Sequence, residues 1–356
     1  MRMQAWTVEA TGRPMVLEER EVSPAADEVV VKVAGCGVCH TDLGFYYDGV
    51  PTRHPFPLTL GHEVSGTIVE AGDQAHEWLG RSVVVPAVIP CGECDTCRSG
   101  RAQICPQQIF PGSDVHGGFA SHLCVPSRGL CPVPDLTDPG LNPGGLDLLD
   151  LSVIADAVST PYRAITRSGL GAEDLAVFVG VGGVGGFGVQ IAAAMGATVV
   201  AVDVDDDRLA VLADHGADLT LNAKRMAFKE LRGAIRALSA ERKIPSWKQK
   251  IFETSGTPEG QSTAFGLIGH GAYLSIVGFT SKKLELRLSN LMAFDATVQG
   301  NWGCPPEHYP TIVDLVLSGR VKLQPFIERR SLSSINQTFE DLHERRTSRR
   351  VILVPE

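Results

Sequence analysis

The sequence lacks the features that are typical of nucleic-acid-binding proteins, membrane proteins and secreted proteins. Its 356 residues carry 32 basic and 41 acidic side chains, a formal net charge of −9, and contain no long basic run to follow a phosphate backbone. The N-terminal residues have no apolar core of the kind that a signal peptide needs, and no internal repeat or low-complexity stretch occurs. We therefore expect a cytoplasmic protein that binds neither nucleic acid nor membrane.

One uncharged run is long enough to cross a bilayer. Residues 175–202 contain no Asp, Glu, Lys or Arg over 28 positions. Seven of these residues are glycines, which cluster in one place. Such a cluster is more typical of a buried strand, a tight turn and a helix than of a membrane span. We therefore predict no transmembrane segment.

The composition is that of an ordinary globular protein, and the local patterns divide the chain into three stretches. With 44% hydrophobic and 21% charged residues, disorder and fibrous folds are excluded, and the length predicts two or three domains. Residues 1–155 contain short β-branched runs with frequent Gly and Pro, residues 156–296 alternate strand and helix patterns, and residues 297–356 are mixed again. The alternation predicts an α/β unit with a parallel sheet in the middle of the chain.

The individual elements are predicted from β-branched runs and turn signals. Predicted strands cover residues 28–33, 82–86, 176–179, 198–202, 250–253, 273–277 and 350–354, and a predicted helix covers 186–195. The polar and basic segment 239–250, with a lone Trp247, is interpreted as an insertion in a loop.

Four of the nine cysteines lie within 15 residues of one another. The spacing Cys91-x2-Cys94-x2-Cys97-x7-Cys105 suits tetrahedral zinc, whose thiolate ligands close a structural site to water. An iron–sulfur cluster is a competing interpretation because Pro106 follows the last cysteine, although ferredoxin runs place that cysteine four positions on rather than eight. A third interpretation is four buried cysteines that bind no metal and form no disulfides. We expect structural zinc rather than disulfides.

A glycine-rich segment predicts a dinucleotide site. Its G-x-G-x-x-G pattern follows a predicted strand and opens a predicted helix, so the backbone can approach a pyrophosphate at the helix N-terminus. The residues expected at the cofactor are Gly180, Gly182, Gly183, Val184 and Gly185. Asp203 ends the next strand, where its carboxylate can accept both ribose hydroxyls of NAD and repel the 2′-phosphate of NADP, and Val204 after it adds no cation. We expect NAD, with a glycine-rich packing contact as the alternative.

A cysteine and a histidine further upstream are candidate ligands of a catalytic zinc. Cys39 and His62 offer a sulfur and a nitrogen that zinc prefers, and a zinc with three protein ligands keeps a fourth position for a substrate oxygen. Asp42 is placed to hold an imidazole N–H and fix its tautomer. Alone, such a pair is more often structural, but beside the nucleotide fingerprint it predicts a metal site. Asp156 precedes a helical stretch, the usual place of a cap.

Together these motifs resemble the zinc-dependent medium-chain alcohol dehydrogenases over nearly the whole chain. The resemblance is carried by residues 35–42, 61–63, 91–105, 117–120 and 180–185, with Asp203. It implies a GroES-like catalytic domain with a structural zinc lobe at 91–105, interrupted by a doubly wound Rossmann domain that binds NAD, and an active site between the two domains. It also implies two zinc ions per subunit, a small-molecule substrate, and a homodimer or homotetramer paired through the Rossmann sheets.

The resemblance also implies roles for single residues. Cys39 and His62 correspond to catalytic zinc ligands, and Glu63 to a carboxylate that exchanges onto the metal when substrate leaves. Thr41 corresponds to the hydroxyl that takes the substrate proton, beside Asp42. Near the cofactor, the resemblance implies that His40 and Arg350 meet the pyrophosphate, with Arg349 as the alternative to Arg350. It implies that Arg208 lies near the adenosine.

Two positions depart from the pattern of the family. Asp156 stands where many relatives have a third thiolate ligand, and its oxygen is either a harder zinc ligand or a cap or hydrogen-bond acceptor. Gly44 stands where some members have a histidine that ends the proton relay. The proton must then leave by another path, such as the cofactor ribose and water.

A narrower resemblance concerns the substrate. Asp156, residues 159–162, residues 185–188 and the basic segment 239–250 are similar to the 6-hydroxycyclohex-1-ene-1-carbonyl-CoA dehydrogenases, which oxidise a cyclic allylic alcohol on a CoA thioester in aromatic degradation. The candidates to meet CoA phosphates are Lys243, Lys248 and Lys250, against a solvated loop of scattered charge. Oxidation of simple alcohols, hydration of a cyclic dienoyl-CoA by zinc-activated water, and a quinone-reductase-like fold without zinc chemistry are the alternative functions.

Overall fold

The chain alternates between two structural units. The computed structural model describes residues 1–356. The first unit comprises Met1–Ser159, Gly303–Gly319 and Phe326–Glu356, and the second comprises Thr160–Trp302 and Arg320–Pro325. The predicted boundaries after residues 155 and 296 therefore lie four and six residues before those of the structure.

The structure contains fifteen strands and ten α-helices. The strands are β1 (Arg2–Thr7), β2 (Val16–Glu21), β3 (Glu28–Gly37), β4 (Glu63–Ala71), β5 (Ser82–Val85), β6 (His122–Pro126), β7 (Cys131–Pro132), β8 (Leu175–Val179), β9 (Thr198–Asp203), β10 (Leu219–Asn222), β11 (Gln249–Glu253), β12 (Tyr273–Ile276), β13 (Thr297–Gly300), β14 (Ile327–Ser331) and β15 (Arg350–Val354). The helices are α1 (His40–Tyr47), α2 (Asp95–Arg98), α3 (Ser159–Ser168), α4 (Gly185–Ala194), α5 (Asp206–Ala213), α6 (Phe228–Glu241), α7 (Pro258–Gly266), α8 (Ser289–Phe294), α9 (Tyr309–Leu317) and α10 (Ile335–His343).

The second unit is built on a six-stranded parallel sheet. Its strand order is β10-β9-β8-β11-β12-β13, which is the order of a doubly wound Rossmann sheet. The strand that comes first in the sequence, β8, lies at the centre between β9 and β11. The carboxyl ends of β8 and β11 therefore flank the point where the strand order reverses, and such sheets bind their ligands there.

Two sequence predictions in this unit are wrong in detail. The unit does not end at residue 296, because Thr297–Gly300 pairs with β12 as the sixth strand. The predicted loop insertion at 239–250 is helical at its start and extended at its end, since α6 continues to Glu241 and β11 begins at Gln249. The buried residues Leu231 and Ile235 lie one helical turn apart on α6, a spacing that the surrounding charged side chains obscured.

The uncharged run at 175–202 folds as β8, α4 and β9. All five residues of β8 are buried. A glycine at 188 lets α4 approach this strand closely, because a Cβ atom there would lie 2.4 Å from Cε1 of Phe178. None of the helices combines the length and the apolar character that a membrane span requires.

The first unit is organised around β3. This strand pairs in antiparallel fashion with β4, β6 and β15 within a seven-stranded sheet. Its β-branched residues Val29, Val30 and Val31 are fully buried. At its carboxyl end Gly37 pairs with Glu63, the first residue of β4, and with Ile352 of β15. The segments that follow β3, precede β4 and begin β15 are therefore brought together.

Candidate active site

Three ligand-type side chains meet beside the carboxyl end of β3. Cys39 follows β3 and caps the start of α1, and His62 directly precedes β4. Asp156 ends the 3-10 helix Leu148–Ala155, which packs against β3 and β4. The pairing of β3 with β4 thus joins two segments that lie more than twenty residues apart, and the 3-10 helix adds the third.

The distances within this group suit a single zinc ion. Asp156 Oδ2 lies 3.5 Å from Cys39 Sγ and 3.8 Å from His62 Nε2, and all three ligand atoms lie within 4.8 Å of one another. Ligands at ordinary zinc distances and tetrahedral angles would be separated by about 3.4–3.6 Å. Cys39 and His62 are 7% and 1% exposed. The three residues could therefore hold zinc, and a tetrahedral ion would keep a fourth position.

The Asp42 carboxylate fixes the positions of Cys39 and His62 by hydrogen bonding. Its carboxylate is fully buried and accepts hydrogen bonds from Cys39 N at 2.9 Å and Gly61 N at 3.2 Å. Its Oδ1 also lies 3.2 Å from His62 Nδ1, which leaves Nε2 of the ring for a metal. Burial alone would lower the pKa of His62, but the charge of Asp42 and the hydrogen bonds to Asp156 raise it well above its usual value. The surroundings thus favour a positive charge at this point.

Glu63 is adjacent to His62 in the sequence but is not one of the three residues of the ligand group. Its carboxylate is completely buried and bonds to Nε of Arg350 at 3.0 Å, to the same guanidinium through Nη2, and to Ala157 N at 2.9 Å. Burial raises the pKa of Glu63, and the charge of Arg350 opposes this effect. Arg350, predicted to reach a cofactor pyrophosphate, has Glu63 as its main partner, and the contact with a pyrophosphate stays a prediction.

The other predicted residues of this site lie on or near α1. Thr41 Oγ1 lies 3.6 Å from Cys39 Sγ, close to the ligand group, whereas His40 is exposed. Sequence reasoning missed Phe110, whose ring centroid lies 4.8 Å from that of His62. No sequence pattern around Phe110 predicts this contact, because the residue lies in a loop that is distant from His62 in the sequence and is brought near it only by the tertiary structure. Its apolar ring forms one wall beside the imidazole.

The four clustered cysteines form a second, separate group. Their sulfur atoms are 3.5–3.8 Å apart in the four pairs Cys91–Cys97, Cys94–Cys97, Cys94–Cys105 and Cys91–Cys105. Four thiolates around one zinc at about 2.3 Å would be about 3.8 Å apart. In a [4Fe–4S] cluster each thiolate binds a different iron, so the sulfurs are farther apart. The structure therefore favours the zinc interpretation over a cluster.

The electrostatics of the cysteine group agree with metal binding. Hydrogen bonds from the backbone N–H groups of Glu93 and Cys94 lower the pKa of Cys91 to about 6. Burial raises the pKa of Cys97 to about 12. The lowered pKa favours the thiolate of Cys91, the form that binds metal, whereas binding through Cys97 must displace its proton.

Cys97→Ser should reduce the zinc content from two ions to one per chain. The lobe at 91–105 buries little apolar surface, since no residue of α2 is buried, and structural zinc of this kind contributes about 10 kcal/mol to folding. We expect a lower melting temperature by calorimetry and the loss of one zinc by atomic absorption. Cys124→Ser, which changes a thiol outside both groups, should keep both ions. A Cys97→Ser protein with two tightly held ions would contradict the assignment.

The predicted cofactor residues lie together at the carboxyl end of β8. Gly180 has φ of +87°, and a Cβ atom there would lie 2.4 Å from Cα of Ser255. A Cβ at Gly185 would lie 2.0 Å from the carbonyl oxygen of Gly180. Gly182, Gly183 and Val184 complete this tight turn into α4, whose N-terminal amides face the loop. The turn could receive a pyrophosphate.

Asp203, the residue expected at the adenosine ribose, binds the glycine-rich loop. Its Oδ2 accepts from Val181 N at 2.6 Å, and its Oδ1 accepts from Val204 N at 2.7 Å. Arg208 Nη1 lies 3.9 Å from Asp203 Oδ1, and would lie 3.5 Å from a Cβ on Gly182. A cation therefore does stand beside Asp203, supplied by α5 rather than by the next residue in the sequence.

The lysines considered for CoA phosphates lie elsewhere. Lys248 Nζ contacts Glu173 at 2.5 Å, and Lys250 Nζ lies 5.9 Å from the centroid of the Tyr273 ring. Lys248 directly precedes β11 and Lys250 is its second residue, so both lie at the amino end of this interior strand, whereas the glycine turn follows the carboxyl end of the neighbouring β8. Lys243 lies in the short connection after α6 with φ of +56°. Lys243 is exposed, whereas Lys248 and Lys250 are half-buried, and none of the three lies at the glycine turn.

Comparison with known proteins matches two parts of the chain to known families. The family profile described as "Alcohol dehydrogenase GroES-like domain" matches residues 25–135, and the one described as "Zinc-binding dehydrogenase" matches residues 183–318. An alcohol dehydrogenase of Geobacillus stearothermophilus is 29% identical over 329 residues, covering 92% of this chain and 91% of the relative. Galactitol 1-phosphate 5-dehydrogenase of Escherichia coli K12 is 28% identical over 342 residues, covering 92% and 93%.

Solved structures share the fold over the whole chain. Galactitol-1-phosphate dehydrogenase from Escherichia coli has a TM-score of 0.85 at 26% identity, covering 99% of this chain and all of that one. An alcohol dehydrogenase from Thermotoga maritima has a TM-score of 0.86 at 25% identity, with full coverage of both chains. The two profiles together match well over half of the chain. These matches identify the chain as a member of the zinc-dependent medium-chain alcohol dehydrogenase family. Members of this family are oxidoreductases that act on CH–OH groups with zinc and NAD.

Proposed function

We propose that the chain oxidises a secondary alcohol to a ketone with NAD, using a zinc ion held by Cys39, His62 and Asp156. The observation that carries the proposal is the convergence of these three ligand atoms within 4.8 Å, supported by a fully buried carboxylate behind the imidazole. Three protein ligands and one open position are typical of catalytic rather than structural zinc. The lobe at 91–105 would hold the second, structural ion.

The protein residues divide the remaining work. Bound zinc would supply a Lewis acid that lowers the pKa of an alcohol, and bound NAD would accept the hydride. Thr41 stands beside the ligand group and would accept the proton of the substrate hydroxyl. Because residue 44 is glycine, the proton would pass on through cofactor ribose and water rather than a histidine. Asp42 holds the imidazole of His62, and Phe110 excludes water from one side.

The finer proposal for the substrate is a cyclic allylic alcohol carried on a CoA thioester. It is supported by the likeness of Asp156, residues 159–162 and residues 185–188 to the 6-hydroxycyclohex-1-ene-1-carbonyl-CoA dehydrogenases. The lysines give it no support, since Lys248 and Lys250 lie at the amino end of β11, away from the glycine turn, and Lys243 lies in the connection after α6. Two relatives are described as acting on galactitol 1-phosphate and 2-dehydro-3-deoxy-L-galactonate, and these names favour a polyol or sugar acid as the second candidate.

A substrate panel tests both levels of the proposal. Cyclohexanol, galactitol 1-phosphate and the cyclic hydroxyacyl-CoA are each incubated with NAD and with NADP, and absorbance at the wavelength of NADH is followed. Reduction of NAD by at least one alcohol is expected, with the thioester giving the highest kcat/KM. Activity confined to free alcohols or polyols would overturn the CoA assignment. Hydration of the dienoyl thioester without any NADH would favour the lyase alternative, and a panel with no reaction would contradict the dehydrogenase itself.

A further inference from the structure

The turn that presents Asp156 is held on both sides of that residue. Asp156 lies between Ala155, the last residue of the 3-10 helix, and Ala157. Its own side chain is 19% exposed, with Oδ2 directed toward Cys39 and His62. Its two neighbours, Ala155 and Ala157, are 1% and 0% exposed.

The carbonyl oxygen of Ala155 receives three donors. Tyr309 Oη donates to it at 2.6 Å, Ser159 Oγ lies 3.0 Å from it, and Ala87 N lies 3.4 Å from it. The serine hydroxyl also lies 3.3 Å from Tyr309 Oη, so the two hydroxyls and the carbonyl form one small network. A single carbonyl with this many partners cannot rotate without losing several hydrogen bonds.

The other side of the turn is anchored by a charged group. Ala157 N donates to Glu63 Oε1 at 2.9 Å, and Glu63 is itself fixed by Arg350. The peptide groups before and after Asp156 are thus both tied to buried side chains. The Asp156 carboxylate itself lies 3.8 Å from Nη2 of Arg350, so the guanidinium that fixes Glu63 also faces this side chain.

Tyr309 reaches the turn from a distant part of the chain. It is the first residue of α9, more than 150 positions from Ala155, and it is 0% exposed. Burial raises the pKa of Tyr309 well above its usual value, so the phenol stays protonated and remains a donor. A phenylalanine would fill the same apolar space and lack only this hydroxyl.

We propose that Tyr309, together with Ser159, is a positioning residue for the catalytic metal, because it fixes the turn that aims the Asp156 carboxylate at Cys39 and His62. The inference rests on the proposed function, in which Asp156 is the third ligand. Tyr309 is not a member of the ligand group and acts on it through the Ala155 carbonyl and the Ser159 hydroxyl. Partners that orient metal ligands typically account for about 10- to 100-fold in metal affinity.

The test is metal retention by the full-length Tyr309→Phe protein. Zinc loss to a competing chelator is expected to show one ion held about tenfold more weakly, while the ion of the cysteine lobe is unchanged. After replacement of the weaker ion by Co²⁺, the visible absorption bands should shift relative to wild type, because the carboxylate meets the metal at a different angle. A shift in these bands is not produced by a loss of stability alone.

Tyr273→Phe provides the matched control. Tyr273 also donates a single hydrogen bond through its hydroxyl, to Gln299 at 2.7 Å, but it lies in β12 of the other unit. Each variant loses one hydroxyl hydrogen bond, and only Tyr309→Phe should change the metal. Unchanged metal retention and an unchanged Co²⁺ spectrum in Tyr309→Phe would overturn the inference, as would equal metal loss in both variants. Should Tyr309→Phe not fold, Ser159→Ala removes a second hydroxyl from the same carbonyl and is judged by the same two readouts.

A further variant separates this inference from the proposed function. Asp156→Asn removes the charged ligand itself and should release the catalytic ion more completely than Tyr309→Phe. If Asp156→Asn holds both ions as tightly as wild type, the ligand set of the proposed function fails. If it loses the ion while Tyr309→Phe keeps it, the proposed function stands and only the role of Tyr309 fails.

Discussion

Replacing Cys39 with alanine should remove one of the two zinc ions and slow alcohol oxidation about a thousandfold or more. Cys39 supplies the single sulfur of the group, and His62 with Asp156 would leave the ion only two protein ligands. Polarisation of the substrate oxygen by the metal amounts to several kcal/mol in the transition state, and each 1.4 kcal/mol is a factor of ten in rate. Zinc per chain and kcat with NAD measure the two effects.

Cys36→Ala is the matched control for this experiment. Cys36 is a buried thiol in the same strand-to-helix region, three residues earlier, and it belongs to neither metal group. This variant should keep two ions and a turnover within a few-fold of wild type. A Cys39→Ala protein with two ions and unimpaired turnover would show that the catalytic ion is held elsewhere.

Arg350→Met should lower the free energy of unfolding by about 3–5 kcal/mol, because it leaves a buried carboxylate without its counter-charge. Arg350 is 5% exposed and Glu63 is 0% exposed, so water cannot replace the lost partner. Methionine keeps most of the length of the side chain, which limits the packing defect. Urea denaturation followed by circular dichroism, with metal present in excess, measures the change.

Two further variants distinguish charge from packing. Arg225→Met removes a guanidinium that is 71% exposed and pairs with Asp206, which is 48% exposed, and an exposed pair of this kind contributes less than about 1 kcal/mol. The double variant Glu63→Gln with Arg350→Met removes both charges and should recover much of the lost stability. Equal losses in Arg350→Met and in the double variant would attribute the effect to packing instead.

Much of the fold could be predicted because its signals are local. The β-branched runs at 28–33 and 176–179 and the glycine pattern at 180–185 lie within β3, β8 and the turn into α4. The errors fall where local signals conflict with the tertiary structure. Thr297–Gly300 is a short, largely exposed edge strand, and nothing in its composition distinguishes it from a loop.

The site likewise contains residues that the sequence predicts and residues that only the tertiary structure reveals. The meeting of Cys39 and His62 in one group of ligand-type side chains was predictable from their residue types and motifs, and the contact of Asp42 with His62 from its place beside them. Asp156 was ambiguous because an acidic residue before a helix has the same sequence signature whether it caps or binds a metal. Tyr309 could not be found at all, since its hydroxyl meets a backbone carbonyl that no residue type announces.

The double use of Asp203 has a consequence for anyone wishing to re-engineer the coenzyme preference. The carboxylate that would exclude a 2′-phosphate is also the acceptor that ties Val181 into the phosphate-binding turn. An apolar substitution would admit the bulkier coenzyme and loosen its cradle in the same step. Serine or asparagine at this position keeps an acceptor while removing the charge, and Arg208 already stands where a counter-ion for the added phosphate is needed.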